Sequence, residues 1–233
     1  HRDLHSFPTR RSSDLSVIIP TINAAGHLRG TISACRGVRE IVVVDGGSRD
    51  DTTEVARSMG ARVVVTGASR GIQLHEGAMR SEGEWLLFLH ADTVLTGSWK
   101  EEAKRFIADP SNLMRAATFR FGLDDPSAEA RRLERRVAWR TRYLRLPYGD
   151  QGLLIQRDFY LSLGGFRAWP LMEDVDLVRH IGRRRLTILE SAAKTSAERW
   201  CRDGWRRRSL RNLACLTLYL LGVPPRLIAR LYG

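Results

Sequence analysis

Short apolar runs alternate with amphipathic stretches through the first half of the chain. The runs are SVIIP (16–20), EIVVVD (40–45), ARVVVT (61–66) and EWLLFLH (84–90). Each lacks the alternation of a half-exposed strand, so each is expected to be buried on both faces of a sheet. Helical periodicity lies between them near residues 25–35, 51–59 and 70–81. This order predicts an α/β fold with βαβ units, a mostly parallel sheet and helices on both faces.

The helix near residues 51–59 has the clearest predicted boundaries. Ser48 and Asp51 have the spacing of a capping box at its start, and Gly60 supplies its end.

The second half has a less regular pattern. It predicts helices over 99–107, 126–146, 159–163 and 173–184, strands over 114–121 and 153–156, and a basic amphipathic helical pair over 199–231 that is broken at Pro224-Pro225. Residues 1–15 have no apolar segment like that of a signal peptide, and we interpret them as a leader or tag outside the fold. We predict one domain, with halves at 16–95 and 96–198 and a helical tail at 199–233.

Composition and charge narrow the class of protein. Of 233 residues, 43% are hydrophobic and 27% are charged, which excludes collagen, coiled coils and wholesale disorder. Lys and Arg number 38 against 26 Asp and Glu, a net charge of +12. This excess indicates an anionic partner, which charge alone leaves open as nucleic acid, a membrane surface or a phosphorylated small molecule.

Cysteine content and hydropathy predict where the protein resides. The three cysteines, Cys35, Cys201 and Cys215, are widely spaced and form no zinc motif, which is typical of a reduced, cytoplasmic protein. The longest apolar run, residues 213–223, is shorter than the roughly 20 residues that a membrane span requires. We therefore expect no membrane-spanning segment.

Polar residues follow three of the predicted strands. They form the strings Pro20-Thr21-Ile22-Asn23, Asp45-Gly46-Gly47-Ser48 and His90-Ala91-Asp92. Ligands of open α/β sheets bind beyond the carboxyl ends of the strands, so these loops predict one shared site. The glycine pattern of a dinucleotide-binding fold is absent, since residues 21–26 read TINAAG, and no P-loop occurs.

Carboxylates supply the candidate chemistry. Asp92 directly follows an apolar strand, where a divalent cation would offset the cost of burying it, although it could instead cap a helix near Ser98. Asp150 lies in a glycine-rich loop, and Glu173 and Asp174 begin a predicted helix whose dipole favours their ionised form. An ionised carboxylate at such a junction can accept a proton from a substrate hydroxyl.

The same motifs carry a resemblance to a known family. SVIIPTIN, VVVDGGSRDDT, LLFLHADT, GDQGLLIQRDFYLSLGGF and MEDVDL resemble, in order and spacing, the family 2 glycosyltransferases of GT-A fold. TSAERW (195–200) and the ending GVPPRLIARLYG resemble a bacterial branch known as radical-SAM/selenodomain-associated transferase 2. The resemblance spans residues 16–233.

The resemblance implies roles for individual residues. Asp174 would be the catalytic base, and Asp92 would hold Mg²⁺ or Mn²⁺ and the donor diphosphate. The implied nucleotide-sugar site comprises Pro20, Thr21, Asn23, Asp45 at the base, Gly46, Gly47, Ser48, Arg70, Ala91 and Asp92. The acceptor or diphosphate side comprises Asp150, Gln151, Glu173, Arg199 and Trp200, and Arg120 is a further candidate cation.

Two departures from the family pattern weaken part of this assignment. Many members have Asp-x-Asp where this chain has His90-Ala91-Asp92, so the first carboxylate is missing. Many also have an asparagine where this chain has His75-Glu76, which leaves the contacts from that helix uncertain.

We therefore predict an inverting, metal-assisted transfer of a sugar from a nucleoside-diphosphate sugar to an acceptor hydroxyl. The alternatives are a nucleotidyltransferase on a similar sheet, or a non-catalytic basic module that binds anionic lipid or nucleic acid. Nucleic acid is the less expected partner.

The arginines between 199 and 211 precede the apolar run 213–223. This pattern predicts peripheral docking at the inner face of the membrane, close to a lipid-linked acceptor. The alternative is that these leucines pack on the sheet.

Overall fold

The computed structural model describes residues 14–232. Almost all of the predicted leader, 1–15, thus lies outside the described residues. Leu15, however, is buried and is the first residue of the first strand, so the fold begins before the predicted position. The division of the chain into two halves and a tail stays a prediction.

Eight strands form one sheet with the order β3-β2-β1-β4-β7-β6-β8-β5. Their bounds are Leu15–Thr21 (β1), Glu40–Asp45 (β2), Arg62–Val65 (β3), Trp85–Phe88 (β4), Thr93–Leu95 (β5), Ala116–Leu123 (β6), Leu153–Gln156 (β7) and Leu186–Thr195 (β8). Strands β3, β2, β1 and β4 are parallel neighbours, as predicted. β7 runs antiparallel to both β4 and β6, and β5 antiparallel to β8, so the sheet as a whole is mixed.

Ten α-helices accompany the sheet in the described part of the chain. Their bounds are Ala25–Ala34 (α1), Thr52–Ser58 (α2), Arg70–Arg80 (α3), Trp99–Ala108 (α4), Ala128–Trp139 (α5), Arg157–Ser162 (α6), Glu173–Ile181 (α7), Glu198–Asp203 (α8), Trp205–Leu220 (α9) and Pro225–Tyr232 (α10). A π-helical turn, Arg140–Leu144, extends α5, and a 3₁₀ turn covers Gly149–Gln151.

The helices cover both faces of the sheet, which confirms the predicted layering. One core packs α1, α2 and α4 against one face, with Trp85 and Phe119 fully buried in it. The other core packs α3, α6 and α7 against the opposite face around Tyr160 and Phe159. The valine and isoleucine runs of β1 and β2 are nearly inaccessible because they contribute to both cores.

Three local predictions were wrong or incomplete. Ser48 does not cap α2; the helix begins after Asp51, because the Ser48 hydroxyl is bonded to Asp45 instead. The sequence analysis missed β5 and β8. β5 is a three-residue strand at the edge of the sheet, and β8, which lies between β5 and β6, mixes polar and apolar residues, so neither gives a clear strand pattern. The predicted helical pair 199–231 is three helices, since Gly204 adopts a φ of +82° and breaks it after Asp203.

No helix within residues 14–232 is both long and apolar enough to span a bilayer. Asp92 does not cap α4, whose N-cap is Ser98.

Candidate active site

Loops that follow β1 and β2 are bonded to each other at the carboxyl edge of the sheet. The backbone N–H of Asn23 donates to the Ser48 hydroxyl at 2.8 Å, and the Arg49 N–H donates to Asn23 Oδ1 at 2.8 Å. Asn23 has a φ of +49°, a left-handed conformation that asparagine tolerates better than most residues. These bonds fix the shape of both loops.

The Asp45 carboxylate lies buried beneath these loops. It accepts hydrogen bonds from the Thr21 hydroxyl at 3.0 Å and from the N–H groups of Gly47 and Ser48 at 2.9 and 2.8 Å. Burial raises the pKa of Asp45, but these bonds outweigh it and hold the pKa below its usual value. Asp45 therefore shapes the loop. Direct ligand contact by it and by Gly46, Gly47 and Ser48 stays a prediction.

A cleft opens beside β1, and we call it the β1 compartment. Its lining includes the predicted residues Pro20, Thr21, Asn23, Arg70, Ala91, Asp92 and Arg199, together with His90 and Gln73. Gln73 was missed by the sequence analysis. Its Nε2 donates to the carbonyl oxygens of Thr21 and Val44, both at 2.8 Å, and so joins α3 to two strand ends.

Helix α3 faces this compartment through Arg70 and Gln73, whereas His75 and Glu76 do not line it. His75 Nδ1 lies 3.1 Å from the Tyr160 hydroxyl, and Glu76 pairs with Arg80 at 3.0 Å. His75 and Glu76, the residues that depart from the family pattern, thus contact other side chains and not the cleft.

A second cleft adjoins the first, and we call it the α7 compartment. The predicted residues in its lining are Arg70, Asp92, Asp150, Asp174, Arg199 and Trp200, joined by His90 and Tyr148. Its volume is about 830 Å³ including the open mouth, within the range of small-molecule sites. Four residues line both compartments: Arg70, His90, Asp92 and Arg199. The two clefts therefore form one site, with Asp92 at their junction.

Asp174 lies in the first turn of α7, where the helix dipole favours an anion. Its Oδ2 accepts a hydrogen bond from the Gly149 N–H at 2.6 Å, and its Oδ1 accepts one from the Val175 N–H at 2.7 Å. Each carboxylate oxygen has a second lone pair. The carboxylate is therefore oriented by the backbone while retaining the capacity to accept a proton.

Asp92 is suited to hold a divalent cation together with a ligand. Its Oδ1 accepts one long hydrogen bond, 3.3 Å, from the Thr195 hydroxyl. Among residues 14–232, no three His, Cys, Asp or Glu side chains group into a ready-made metal site. Mg²⁺ and Mn²⁺ are commonly held by one or two carboxylates plus substrate phosphates, so a lone carboxylate at the junction of two clefts fits such an ion.

His90 occupies the position of the missing first carboxylate. Burial, reinforced by the Arg70 guanidinium, lowers the pKa of His90 to about 4, against the opposing effect of Asp92 and Asp174. The imidazole is accordingly neutral near pH 7, the form that can ligate a metal or hydrogen-bond a ligand.

Two further carboxyl groups lie close to Asp174, and both are altered by burial. Burial raises the pKa of Asp150 to about 6, although Arg140 opposes the shift. Burial raises the pKa of Glu173 to about 7, against the effect of Arg70, whose Nη1 lies 3.6 Å from Glu173 Oε1. Glu173 is fully buried and lines a small apolar cavity behind the site rather than the clefts themselves.

Gln151 and Arg120 also lie outside both clefts. Gln151 is buried, donates to the Phe119 carbonyl at 3.0 Å and accepts from the Thr141 hydroxyl at 2.9 Å, so it supports the 3₁₀ turn from behind. Arg120 pairs with Glu190 at 3.0 Å. A direct role for Gln151 in acceptor binding stays a prediction.

The cleft also contains residues that the sequence analysis missed. Tyr148, Met172, Arg208 and Asn212 all line the α7 compartment. Tyr148 precedes the predicted acidic turn and stacks under the Arg140 guanidinium, 3.5 Å from its ring centroid. Arg208 and Asn212 lie in the predicted basic tail, where their i, i+4 spacing was the available signal.

Comparison with known proteins identifies the family. The sequence model of the family described as Glycosyl transferase family 2 matches residues 16–163, more than half of the chain. The chain belongs to this family. A curated relative, the PGL/p-HBAD biosynthesis glycosyltransferase of Mycobacterium bovis, is 33% identical over 127 residues, covering 46% of this chain and 50% of the relative. The chain thus spans about half the length of the curated relatives it matches.

Solved structures of glycosyltransferases share the fold. Glucosyl-3-phosphoglycerate synthase from Mycobacterium tuberculosis, in complex with Mn²⁺, UDP and glucosyl-3-phosphoglycerate, superposes with a TM-score of 0.59 and 17% identity, covering 90% of this chain and 80% of that one. A mannosyltransferase from Pyrobaculum calidifontis, in complex with GDP-Man and Mn²⁺, superposes with a TM-score of 0.60 and 17% identity, covering 86% of this chain and 61% of that one. These likenesses confirm the predicted GT-A-like α/β fold of this family 2 glycosyltransferase.

Proposed function

We propose that the protein transfers a sugar from a nucleoside-diphosphate sugar to an acceptor hydroxyl with inversion at the anomeric carbon. One observation carries this proposal: Asp174, aimed by the Gly149 N–H, shares a cleft with Asp92, and that cleft continues into the β1 compartment. A base, a metal ligand and a nucleotide-sized groove are thereby adjacent.

We assign the donor one orientation in the two clefts. The nucleoside would lie in the β1 compartment, which Pro20, Thr21 and Asn23 line, and the diphosphate would lie at the junction, which Arg70 and Arg199 line. Asp92, with neutral His90 beside it, would hold Mg²⁺ or Mn²⁺ there, and the bound ion supplies charge neutralisation for the departing diphosphate. The mycobacterial neighbour was solved with Mn²⁺ and UDP and the archaeal neighbour with Mn²⁺ and GDP-Man, which supports the use of a divalent ion.

The transfer step uses Asp174 as the general base. The acceptor oxygen attacks the anomeric carbon while its proton passes to the Asp174 carboxylate, and the bond from that carbon to the diphosphate oxygen breaks. The electron pair of the broken bond leaves with the nucleoside diphosphate. Arg70 and Arg199 line both compartments and are placed to stabilise that leaving group.

An activity screen tests the proposal. Incubation with UDP-, GDP- and dTDP-sugars and with Mn²⁺ or Mg²⁺ should give slow donor hydrolysis and a nucleotide-dependent rise in melting temperature. A protein that responds to none of these nucleotides, with or without either ion, would not be this enzyme.

We also propose two finer assignments. The TSAERW and GVPPRLIARLYG segments support placement in the radical-SAM/selenodomain-associated transferase 2 branch. The second assignment is docking at the cytoplasmic face of a membrane, which would bring the site close to a lipid-linked acceptor.

The outer face of α9 supports the docking proposal. Exposed residues recur on it at helical spacing: Arg206, Arg207, Leu210, Leu213, Ala214, Thr217 and Leu220, and the exposed Leu221 follows directly after the helix. Leu213 and Leu221 are 58% and 76% exposed. No Asp or Glu occurs from Gly204 to the end of the chain. An apolar face with a basic end and no acidic residues is complementary to an anionic lipid surface.

A further inference from the structure

The inner face of α9 forms one wall of the α7 compartment. Arg208, Asn212 and Cys215 lie at i, i+4 and i+7 spacing and line the cleft, and Trp200 of α8 lies beside them. We call these four residues the α9 wall. None of them belongs to the loops after β1, β2 and β4, so the α9 wall is separate from the loops that line the β1 compartment.

Arg208 is held rigidly in this wall. It is 9% exposed, its Nη1 donates to Asp203 Oδ2 at 2.7 Å, and its guanidinium carbon lies 5.3 Å from the Trp200 ring centroid. Trp200 in turn stacks on Trp205 at 5.9 Å between ring centroids. Burying a guanidinium group is costly, and the Asp203 carboxylate offsets that cost while holding the group in place. The guanidinium is thereby preorganised beside the cleft, where it can contact an anion.

Asn212 adds an unsatisfied acceptor to the same wall. Its Oδ1 is buried and has no hydrogen-bond partner among the described residues. Buried polar atoms are nearly always hydrogen-bonded, so a hydroxyl donor of a bound molecule would complete this one.

The arginines of the site are distributed between the two compartments. Arg70 and Arg199 line both, as a group at the donor diphosphate must, whereas Arg208 lines the α7 compartment alone. Arg208 therefore lies on the side of Asp174, where the acceptor hydroxyl must approach. The Arg208 guanidinium, which pairs with Asp203, thus lies on the acceptor side of the site rather than on the donor side.

We infer that the α9 wall is an acceptor subsite that binds a phosphate group on the acceptor molecule. Arg208 contacts the phosphate, Asn212 Oδ1 accepts a hydrogen bond from an acceptor hydroxyl, and the Trp200 indole covers the apolar part of the acceptor. The inference rests on the proposed function, since it names the class of acceptor for that reaction. The phosphate can belong to a soluble molecule or to a lipid headgroup.

Titration with a matched pair of probes tests the subsite. Glycerol phosphate and glycerol are titrated into the full chain by calorimetry, with and without UDP and Mn²⁺. Glycerol phosphate should bind at least about tenfold more tightly than glycerol, because a charge-assisted hydrogen bond is lost in the neutral probe. Equal binding of the two probes would overturn the inference.

Variants separate recognition from folding. Arg208→Gln should lower glycerol phosphate affinity about tenfold or more, Arg208→Lys should retain part of it, and Asn212→Asp should weaken it by repulsion. Arg211→Gln is the matched control, because Arg211 also pairs with Asp203 Oδ2, at 2.9 Å, but does not line the cleft. If Arg211→Gln causes the same loss as Arg208→Gln, the effect is structural and the subsite is wrong.

The outcomes for the two proposals are distinguishable. If UDP and Mn²⁺ bind but glycerol phosphate binds no more tightly than glycerol, the subsite proposal is wrong and the transferase proposal stands. If glycerol phosphate binds through Arg208 while no nucleotide binds, the α9 wall is a phosphate site and the transferase proposal is wrong. Vesicles of phosphatidic acid against phosphatidylcholine, with the soluble probe as competitor, then distinguish a lipid phosphate from a soluble one.

Discussion

The backbone N–H of Gly149 donates a 2.6 Å hydrogen bond to Oδ2 of Asp174. It connects the 3₁₀ turn after Tyr148 with the first turn of α7, two segments that are 25 residues apart in the chain. Since Gly149 and Asp174 both line the α7 compartment, the bond sets the direction from which the carboxylate can reach a substrate hydroxyl. The position of the proposed base thus depends on how closely the turn approaches the helix.

Gly149→Ala should impair turnover without abolishing folding. A Cβ at this position would lie 2.7 Å from His90 Nε2 and 3.3 Å from Asp174 Oδ2, so the turn, the imidazole or the carboxylate must shift. A displacement of about 1 Å at a reacting group can cost about 10²-fold in rate, and we expect a loss between tenfold and that value in kcat. Gly26→Ala is the control, because a Cβ there meets nothing within 4 Å. Equal kcat in the two variants would contradict the proposed packing.

Asp174→Asn should retain nucleotide binding and lose nearly all transfer. The amide preserves the shape of the side chain but removes the proton acceptor, an effect typically worth about 10² to 10⁴ in rate. Donor turnover by the variant is compared with its affinity for the nucleoside diphosphate. Activity within about tenfold of wild type would show that Asp174 is not the base and would favour one of the two neighbouring carboxyl groups, Asp150 or Glu173.

The loops after β1, β2 and β4 were predictable because each follows an apolar run and parallel strands end at one edge. Pro20, Asn23 and Asp92 accordingly line the β1 compartment, and their contact with a nucleotide sugar stays a prediction. The sequence could not show that Asp45 is turned inward, since its four hydrogen bonds depend on the three-dimensional fold of its own loop.

The second half was harder to predict because its contacts join distant segments. β8 contains alanine, serine, lysine and threonine, so it has no long apolar run. It pairs with β6 across separations of 70 to 72 residues, and hydrophobic periodicity does not report pairing at such distances. The α9 wall was hidden for a similar reason. Arg208 and Asn212 looked like part of a basic surface helix until the fold placed that side of α9 against the cleft.

Asp92→Ala should weaken donor binding and remove the response to Mn²⁺. Asp92 is the carboxylate at the junction of the two compartments, so its loss removes the proposed protein ligand of the divalent ion. UDP affinity is measured with and without Mn²⁺ in both proteins. If Mn²⁺ still strengthens UDP binding to the variant as it does to wild type, the ion is held elsewhere, and His90→Ala is the next substitution to examine.

Stability should fall with rising pH because of Glu173, and Glu173→Gln should reduce that slope. Burial raises the pKa of Glu173 from 4.5 to about 7, with Arg70 opposing and Asp174 adding to the shift, so the folded protein binds a proton that the unfolded chain has released. The folding free energy is therefore unaffected below about pH 4.5. It becomes less favourable as the pH rises from there to about 7, and it is constant above that pH, where the group is ionised in both states.

Urea denaturation at pH values between 5 and 8 checks this prediction. The difference in unfolding free energy between Glu173→Gln and wild type should grow with pH up to about 7 and level off above it. Because the glutamine variant also loses the interaction with Arg70, a constant offset is expected in addition; an offset that does not vary with pH would mean that Glu173 is ionised throughout.

Replacing the outward leucines of α9 should abolish membrane binding while leaving catalysis in solution intact. Leu213 and Leu221 are exposed and do not line the α7 compartment, so their substitution by glutamine removes apolar contact with lipid without altering the lining of the cleft. Leu161→Gln is the matched control, since Leu161 is 42% exposed on α6 and outside this face. Flotation with phosphatidylglycerol-rich vesicles should recover wild type and the control but not the double variant, and high salt should release wild type because the arginine contribution is screened. A wild-type protein that never floats, or a Leu213→Gln/Leu221→Gln variant that floats as well as the control, would remove the membrane from the proposed function and leave the outer face of α9 as an ordinary exposed surface.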